Sequence, residues 1–373
     1  MRLLDRYLFR ELLTPLLYCL GGLVLLGNCF SLFGELEKLQ ERKLHLLDVL
    51  EYSVAITPEF LVMVLPITLL LALLYTLTNL SRSNELTAMR AAGISLTRIC
   101  APYFAVGAAL SVALFFLNEL VVPRSTDWKS HILARHVQKP GDVESKNEFR
   151  NFGFTNARDR RAWFIGEYRL ATAEMLKPQV KWNLPDGSIQ MLRADRAIRT
   201  NGVWTFYNVA GYSQADDTAP VVPSLVTNVL AMPEFEETPQ QIRSEIKISS
   251  RQSLRRARNS DIPLADILAY QRLHPNLPPA DSGWLLTKFH GRIAAPWTCL
   301  VVVMIAIPFG AATGRRNLFI GVAGSIFICF AFFVLQQVSL ALGSGGYLPA
   351  WLAAWLPNLI FGVLGLALML RLR

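Results

Sequence analysis

Residues 60–81, FLVMVLPITLLLALLYTLTNLS, contain no Asp, Glu, Lys or Arg. At 1.5 Å per residue, an α-helix of this length covers the ~30 Å hydrocarbon core of a bilayer. The chain then turns polar at once: RSNELTAMRAAGIS (82–95) is short, mixed in charge and carries a glycine near its end. Charge-free runs recur at 12–34, 99–118 and 293–314, and a very long one at 317–370 is broken by the turn-rich LGSGGYLP (342–349). The pattern predicts six membrane-spanning helices, the last two near 318–341 and 350–370. A buried core helix can explain one such run but not six. The first run is long for a secretory leader and no small-residue cleavage pattern follows it, so it is read as a span.

Composition agrees with this reading. Of 373 residues, 52% are hydrophobic and 17% charged, against about 25% charged in soluble domains. Arg2, Arg6 and Arg10 precede the first span, Arg82, Arg90 and Arg98 follow the second, Arg315 and Arg316 follow the fourth, and Arg371 and Arg373 close the chain. With both termini in the cytoplasm, all of them fall on the inner side, as basic residues prefer. Residues 122–288 then lie outside. The net charge of +9 is mostly an orientation signal, and no nucleic-acid partner is expected. All five cysteines lie in or beside the spans, so the external region has no disulfide framework and depends on its own core.

Between 123 and 260 the period changes to two-residue alternation. NEFRNFGF, RAWFIGEYRL, IQMLRADRAIRTNGVWTFYNVAGY and PSLVTNVLAM read as strands, with turns at Asn201-Gly202 and Asp186-Gly187. No helices of 10–15 residues intervene, which predicts an antiparallel β-sandwich or jelly roll inserted between the third and fourth spans. A basic run, SRQSLRRARNSD (250–261), reads as a solvated linker, and the helical PLADILAYQRL opens a connecting region over 261–288. The fold class is therefore a polytopic α-helical membrane protein, with residues 1–122 and 289–373 as the membrane part.

The motifs of common catalysis are absent. The chain has no G-x-x-x-x-G-K-[ST], H-E-x-x-H or G-x-S-x-G, and its five histidines lack metal-ligand spacing. No catalytic residue, metal site or cofactor is expected in this chain. The spans contain no ionisable group; Glu119 lies at the outer end of the third, and KFHGR (288–292) is expected at headgroup depth. A carrier without an intramembrane carboxylate takes its energy from elsewhere.

The polar segment between the second and third spans is thus cytoplasmic. It predicts a helix over about 83–93, capped by Ser81 or Ser83, with Glu85 in its first turn and Gly93 as its stop. Leu86, Met89 and Ala92 form one narrow apolar stripe, with Glu85 and Arg90 on the other side. Small residues and mixed charge suit a protein groove, bulkier basic helices a lipid surface; periodicity leaves both open.

Four stretches carry a family likeness: LSRSNELTAMRAAGIS after the second span, FLNELVVP (116–123), HGRIAAPWTCLVVVMIAIPFG (290–310) and LPAWLAAWLPNLIF (348–361). Through them the whole chain resembles lipopolysaccharide-export permeases of the LptF/LptG type. The resemblance implies an inner-membrane transport subunit that pairs with a related permease. It also implies a cytoplasmic ABC ATPase dimer that binds ATP and Mg, and periplasmic β-jelly-roll bridge proteins that receive the lipid. In such permeases the short helix couples to the ATPase, which points to Glu85, Leu86, Met89, Arg90, Ala92 and Gly93. Cations near the outer ends of the first and third spans meet lipopolysaccharide phosphates, which points to Lys38, Arg42, Lys43, Arg124 and Lys129. Glu35, Glu37 and Glu41 are placed to neutralise the first three. Gate helices one and five would use Gly21, Gly22, Gly27, Gly321 and Gly324 for contacts that can part. Without the resemblance, the residues also fit a non-transporting scaffold or sensor with a ligand-binding β-domain.

Overall fold

A computed structural model describes residues 3–41, 45–134, 148–169, 172–184, 187–215, 220–252, 262–275, 277, 279–311 and 318–371. In chain order the elements are α1 (Leu3–Glu41), α2 (Leu46–Arg82), α3 (Glu85–Ala91), α4 (Leu96–Phe116), a π turn (Leu117–Val121) and α5 (Val122–Ala134). Strands β1 (Glu148–Asn156), β2 (Arg161–Arg169), β3 (Glu174–Asn183), β4 (Ile189–Arg193), β5 (Arg196–Thr200), β6 (Val203–Gln214) and β7 (Val222–Met232) follow. The chain ends with α6 (Pro239–Gln252), α7 (Leu264–Leu273), α8 (Pro279–Ala294), a 3-10 turn (Ala295–Trp297), α9 (Thr298–Ala311), α10 (Leu318–Ser344) and α11 (Ala350–Leu370). Two compact units result, Met1–Leu133 with Pro279–Arg373, and Ala134–Pro278. Helix α5 therefore belongs with the helical unit almost to its end, whereas the sequence reading began the β-domain at 123.

Five helical segments are long and apolar enough to cross a membrane: Leu3–Leu36, Leu46–Arg82, Leu96–Thr126, Ser282–Gly310 and Ala350–Leu370. In α10 the described apolar stretch, Phe330–Ser344, is shorter, so among the described residues five of the six expected spans meet both criteria. Helix α9 packs against α2, α4 and α11. A β-carbon on Gly107 of α4 would stand 2.7 Å from Val303, and one on Gly310 would stand 2.6 Å from Leu77. Glycine is what lets these helices approach so closely. Leu69, Leu73, Leu77, Val303 and Ala306 are fully buried there.

In the other unit all strand pairs are antiparallel. β4 and β5 both lie between β3 and β6 and act as one interrupted strand, so each strand neighbours the next in sequence and β7 forms one edge. This is a meander. A jelly roll needs a Greek-key crossover, and none occurs among the described strands.

What curls the meander is a seam across it. Asn151, Lys177 and Asn208 have φ of 51°, 50° and 53°, left-handed values that interrupt a strand and bend it. Gly166 lies between them on β2, where a β-carbon would come within 3.1 Å of Lys177 Cβ. On the same line β4 breaks from β5, with Lys177 N–H donating to Asp195 O at 2.8 Å. At the seam the inward face changes parity. Trp163 and Ile165 give way to Tyr168, Val180 to Met175, Leu192 and Ala194 to Ala197, and Trp204 and Phe206 to Val209, all in one core.

Residues 233–238 return over one end of this core as a clasp. Glu237, its side chain fully buried, accepts from Asn156 Nδ2 (2.8 Å), Trp163 Nε1 (3.1 Å) and Arg161 Nη1 (3.0 Å). Its carbonyl accepts from Trp204 Nε1 (2.7 Å) and Arg199 Nη1 (2.6 Å). Phe235 stands edge-on to both Trp163 and Phe206. Thr238 and Gln241 then exchange bonds as a capping box, with Pro239 opening α6. The T-P-Q-Q signal for this helix, at 238–241, lies within the stretch expected to be β-domain, and α6 runs into the first residues of the expected linker. Its partner α7 forms as expected, and His274 Nε2 lies 2.5 Å from Glu245 Oε1 between the two helices. Replacing Glu237 with alanine leaves the buried Trp163 donor without its acceptor, removes one partner each from Asn156 and Arg161, and should destabilise the β unit by about 3–5 kcal/mol. The check is loss of the β-domain melting transition in scanning calorimetry of the full chain.

Candidate functional site

Two regions of the helical unit hold the residues singled out above. The first is α3. Its N-cap is Asn84, at φ 57°, with no side-chain cap bond; the expected caps serve elsewhere, Ser83 Oγ donating to Asn79 O at the end of α2. Gly93 is the stop, at φ +83°. Gly93 N–H donates to Arg90 O and Ile94 N–H to Met89 O, the paired bonds of a Schellman ending.

The apolar stripe of α3 faces the opposite way from the expectation. Leu86 is fully buried in this chain's own core with Leu8, Leu12, Leu80 and Ile99, and Met89 packs against the same cluster. Thr87, Ala88, Arg90, Ala91, Ala92 and Gly93 are exposed, and Glu85 is half-buried. A sequence period gives the stripe but not the side on which its partner lies; here the neighbouring spans take it.

The second region joins three of the four quoted motifs. Pro123 has no N–H to offer the carbonyls four and five residues before it, Glu119 and Asn118. The π turn sits at this point, and Arg292 of α8 fills the gap: Nη1 donates to Asn118 O and to Glu119 Oε2, each at 3.1 Å. Arg292 is buried, 8% exposed. It pairs with Glu119 between two helical segments long and apolar enough to cross a membrane. Two residues on, where Pro296 interrupts the helix, Asn358 Nδ2 of α11 donates to Ala294 O at 2.8 Å. So FLNELVVP, HGRIAAPW and LPNL meet through side chains that bond backbone carbonyls.

Of the expected cations, Arg124 is exposed on α5. Lys129 is engaged: Nζ lies 3.7 Å from Glu35 Oε1 and 5.6 Å from the Tyr52 ring centroid, and the Tyr52 hydroxyl donates to Glu35. Trp128 Nε1 donates to Glu51 Oε1 at 2.8 Å beside it. Glu35 thus neutralises Lys129. The side chain of Lys38, and Arg42 and Lys43 entirely, lie outside the described residues.

The small residues divide in the same way. A β-carbon on Gly21, Gly22 or Gly324 would meet nothing within 4 Å, whereas on Gly27 it would stand 2.0 Å from the Phe60 ring. Gly27 serves the α1–α2 contact inside this chain and is not an outward surface. The surroundings of Gly321, in α10, lie outside the described residues. Among the described residues no cluster of His, Cys, Asp or Glu could hold a metal ion.

Removing one partner of the buried pair exposes the other charge to a poorly solvating site. Arg292→Ala or Glu119→Leu alone should lower stability by about 3–5 kcal/mol, and the double Glu119→Leu/Arg292→Met should recover only the part due to the unpaired charge, because the Asn118 carbonyl still lacks its donor. Thermal unfolding of the detergent-solubilised chain, followed by size-exclusion recovery, measures both effects.

In comparison with known protein families, the model described as lipopolysaccharide export system permease LptF/LptG matches residues 6–371, nearly the whole chain. No curated protein gives a match.

Proposed function

The chain belongs to the LptF/LptG family of lipopolysaccharide export permeases, and we propose that it forms one half of an ATP-driven exporter. It is an integral inner-membrane protein. Its partner half is a related permease, and the two enclose a lateral opening that takes lipopolysaccharide from the outer leaflet. The membrane part has six spans, α10 supplying the one that the described residues leave short, with both termini in the cytoplasm and the β unit in the periplasm. The basic residues at 2–10, 82–98, 315–316 and 371–373 support that orientation.

The chain is the transport subunit and a separate pair of ATPase subunits binds and hydrolyses ATP with Mg. One observation carries the coupling assignment. α3 is a separate short helix between two spanning helices, anchored by Leu86 and Met89, with a small-residue face and Arg90 left exposed. The contact with the ATPase is made by that exposed face and Glu85. On the other side, β7 pairs only with β6 among the described strands and exposes Val222, Leu225, Val226 and Val229. Such an edge accepts a further strand and offers apolar surface to acyl chains, which supports transfer to a β-domain bridge.

Glu85→Ala should remove the ATPase from the complex purified in mild detergent and stop lipopolysaccharide delivery to the outer membrane; retention of both would overturn the coupling assignment. Arg124 is the exposed outer cation and Lys129 a neutralised one. Arg124→Ala should weaken lipid stimulation of ATP hydrolysis by roughly two- to fivefold, the range of an exposed charge pair. Lys129→Ala should weaken it less, as titration with purified lipopolysaccharide will show.

A further inference from the structure

The first turns of α1 are tied to α3 and to the start of α4, each by a side-chain bond. The Tyr7 hydroxyl donates to Glu85 Oε2 across 2.8 Å. Arg98, at the start of α4, donates from Nη2 to Asp5 Oδ2 at 2.9 Å. Leu8 and Leu12 lie fully buried in the cluster that receives Leu86 and Ile99. Tyr7 is 40% exposed, so its contact with Glu85 is not forced by burial of the ring.

Just beyond this block α1 contains Pro15, which cannot donate to the carbonyl of Glu11. Thr76 Oγ1 of α2 donates to that carbonyl at 3.1 Å. A proline with an externally satisfied carbonyl is a place where a helix bends without leaving a polar group bare. Further along, Leu17, Tyr18, Leu25 and Leu26 are exposed, and Gly21 and Gly22 face open space.

We propose that residues 3–11 of α1 and the helix α3 move as one block, with Tyr7 as the positioning residue that holds Glu85 and the Glu11–Pro15 turn, capped by Thr76, as the hinge to the rest of α1. This rests on the reading of α3 as the ATPase contact. A push on Glu85 then reaches α1 directly through the phenol, without passing along α2. Because the hinge carbonyl keeps its Thr76 bond, the motion bends α1 at one point and leaves the remaining helix bonds intact.

The test uses the complete complex in lipid nanodiscs containing lipopolysaccharide. Tyr7→Phe removes one hydroxyl and keeps the ring. The ATPase should remain bound, while lipopolysaccharide released per ATP hydrolysed should fall roughly tenfold, the scale of a modest coupling between sites. In a Glu85→Gln background, where a neutral amide oxygen replaces the carboxylate as acceptor, the effect of Tyr7→Phe should be smaller. Nitroxide labels at the exposed positions 6 and 88 should give a narrow distance distribution that broadens in Tyr7→Phe. An unchanged yield per ATP, an undiminished Tyr7→Phe effect in the Glu85→Gln background, or a distribution that stays narrow would each overturn the block. Retention of the ATPase by Glu85→Ala would instead overturn the reading on which it stands.

Discussion

A backbone carbonyl without a donor is expensive in hydrocarbon, and prolines inside the spans create such carbonyls. Three of them organise the helical unit. Pro15 leaves the Glu11 carbonyl, which Thr76 takes. Pro123 leaves carbonyls at the π turn, and Arg292 takes that of Asn118. At Pro296 the helix tightens into a 3-10 turn beside Ala294, whose carbonyl Asn358 takes. In each case the donor comes from another helix, so a local defect becomes a specific tie between helices. Apolar packing alone would allow these helices to slide or rotate; polar ties at fixed positions set their register.

The ties explain why the polar residues of this chain sit where they do. Arg292 at 8% exposure would be a heavy penalty on its own, but it satisfies a carboxylate and a carbonyl together. The cluster of Glu35, Tyr52 and Lys129 is of the same kind, a charge kept near apolar surface by giving it partners. Arg124 on α5 and one face of α3 are exposed instead.

Much of this was legible from residue order. Charge-free runs marked the spans, Asn201-Gly202 marked a turn, with φ of 52° and 84°, and Gly93 marked the end of α3. The side on which Leu86 would be buried was not legible, because an isolated helical stripe carries no information about which neighbour covers it. Nor was the role of Arg292: charged residues beside an apolar run usually snorkel to the interface, and only the π turn, formed far away in sequence, gives this one a partner. Gly27 misled for a similar reason, since Phe60 fills the space that its missing side chain leaves. In the β unit, alternation marked the other strands but missed β3, and it did not give the faces, because Asn151, Lys177 and Asn208 reset it midway.

That reset has a consequence for how the domain can vary. A strand with a two-residue repeat has a phase, and here β1, β2, β3, the β4–β5 strand and β6 all shift phase along one line. Gaining or losing one residue within a single strand would put half of it out of step with both neighbours, turning side chains such as Tyr168 or Val209 outward and their charged neighbours inward. Changes of length are therefore confined to the turns, and the line across the sheet can be gained or lost only by all the strands together.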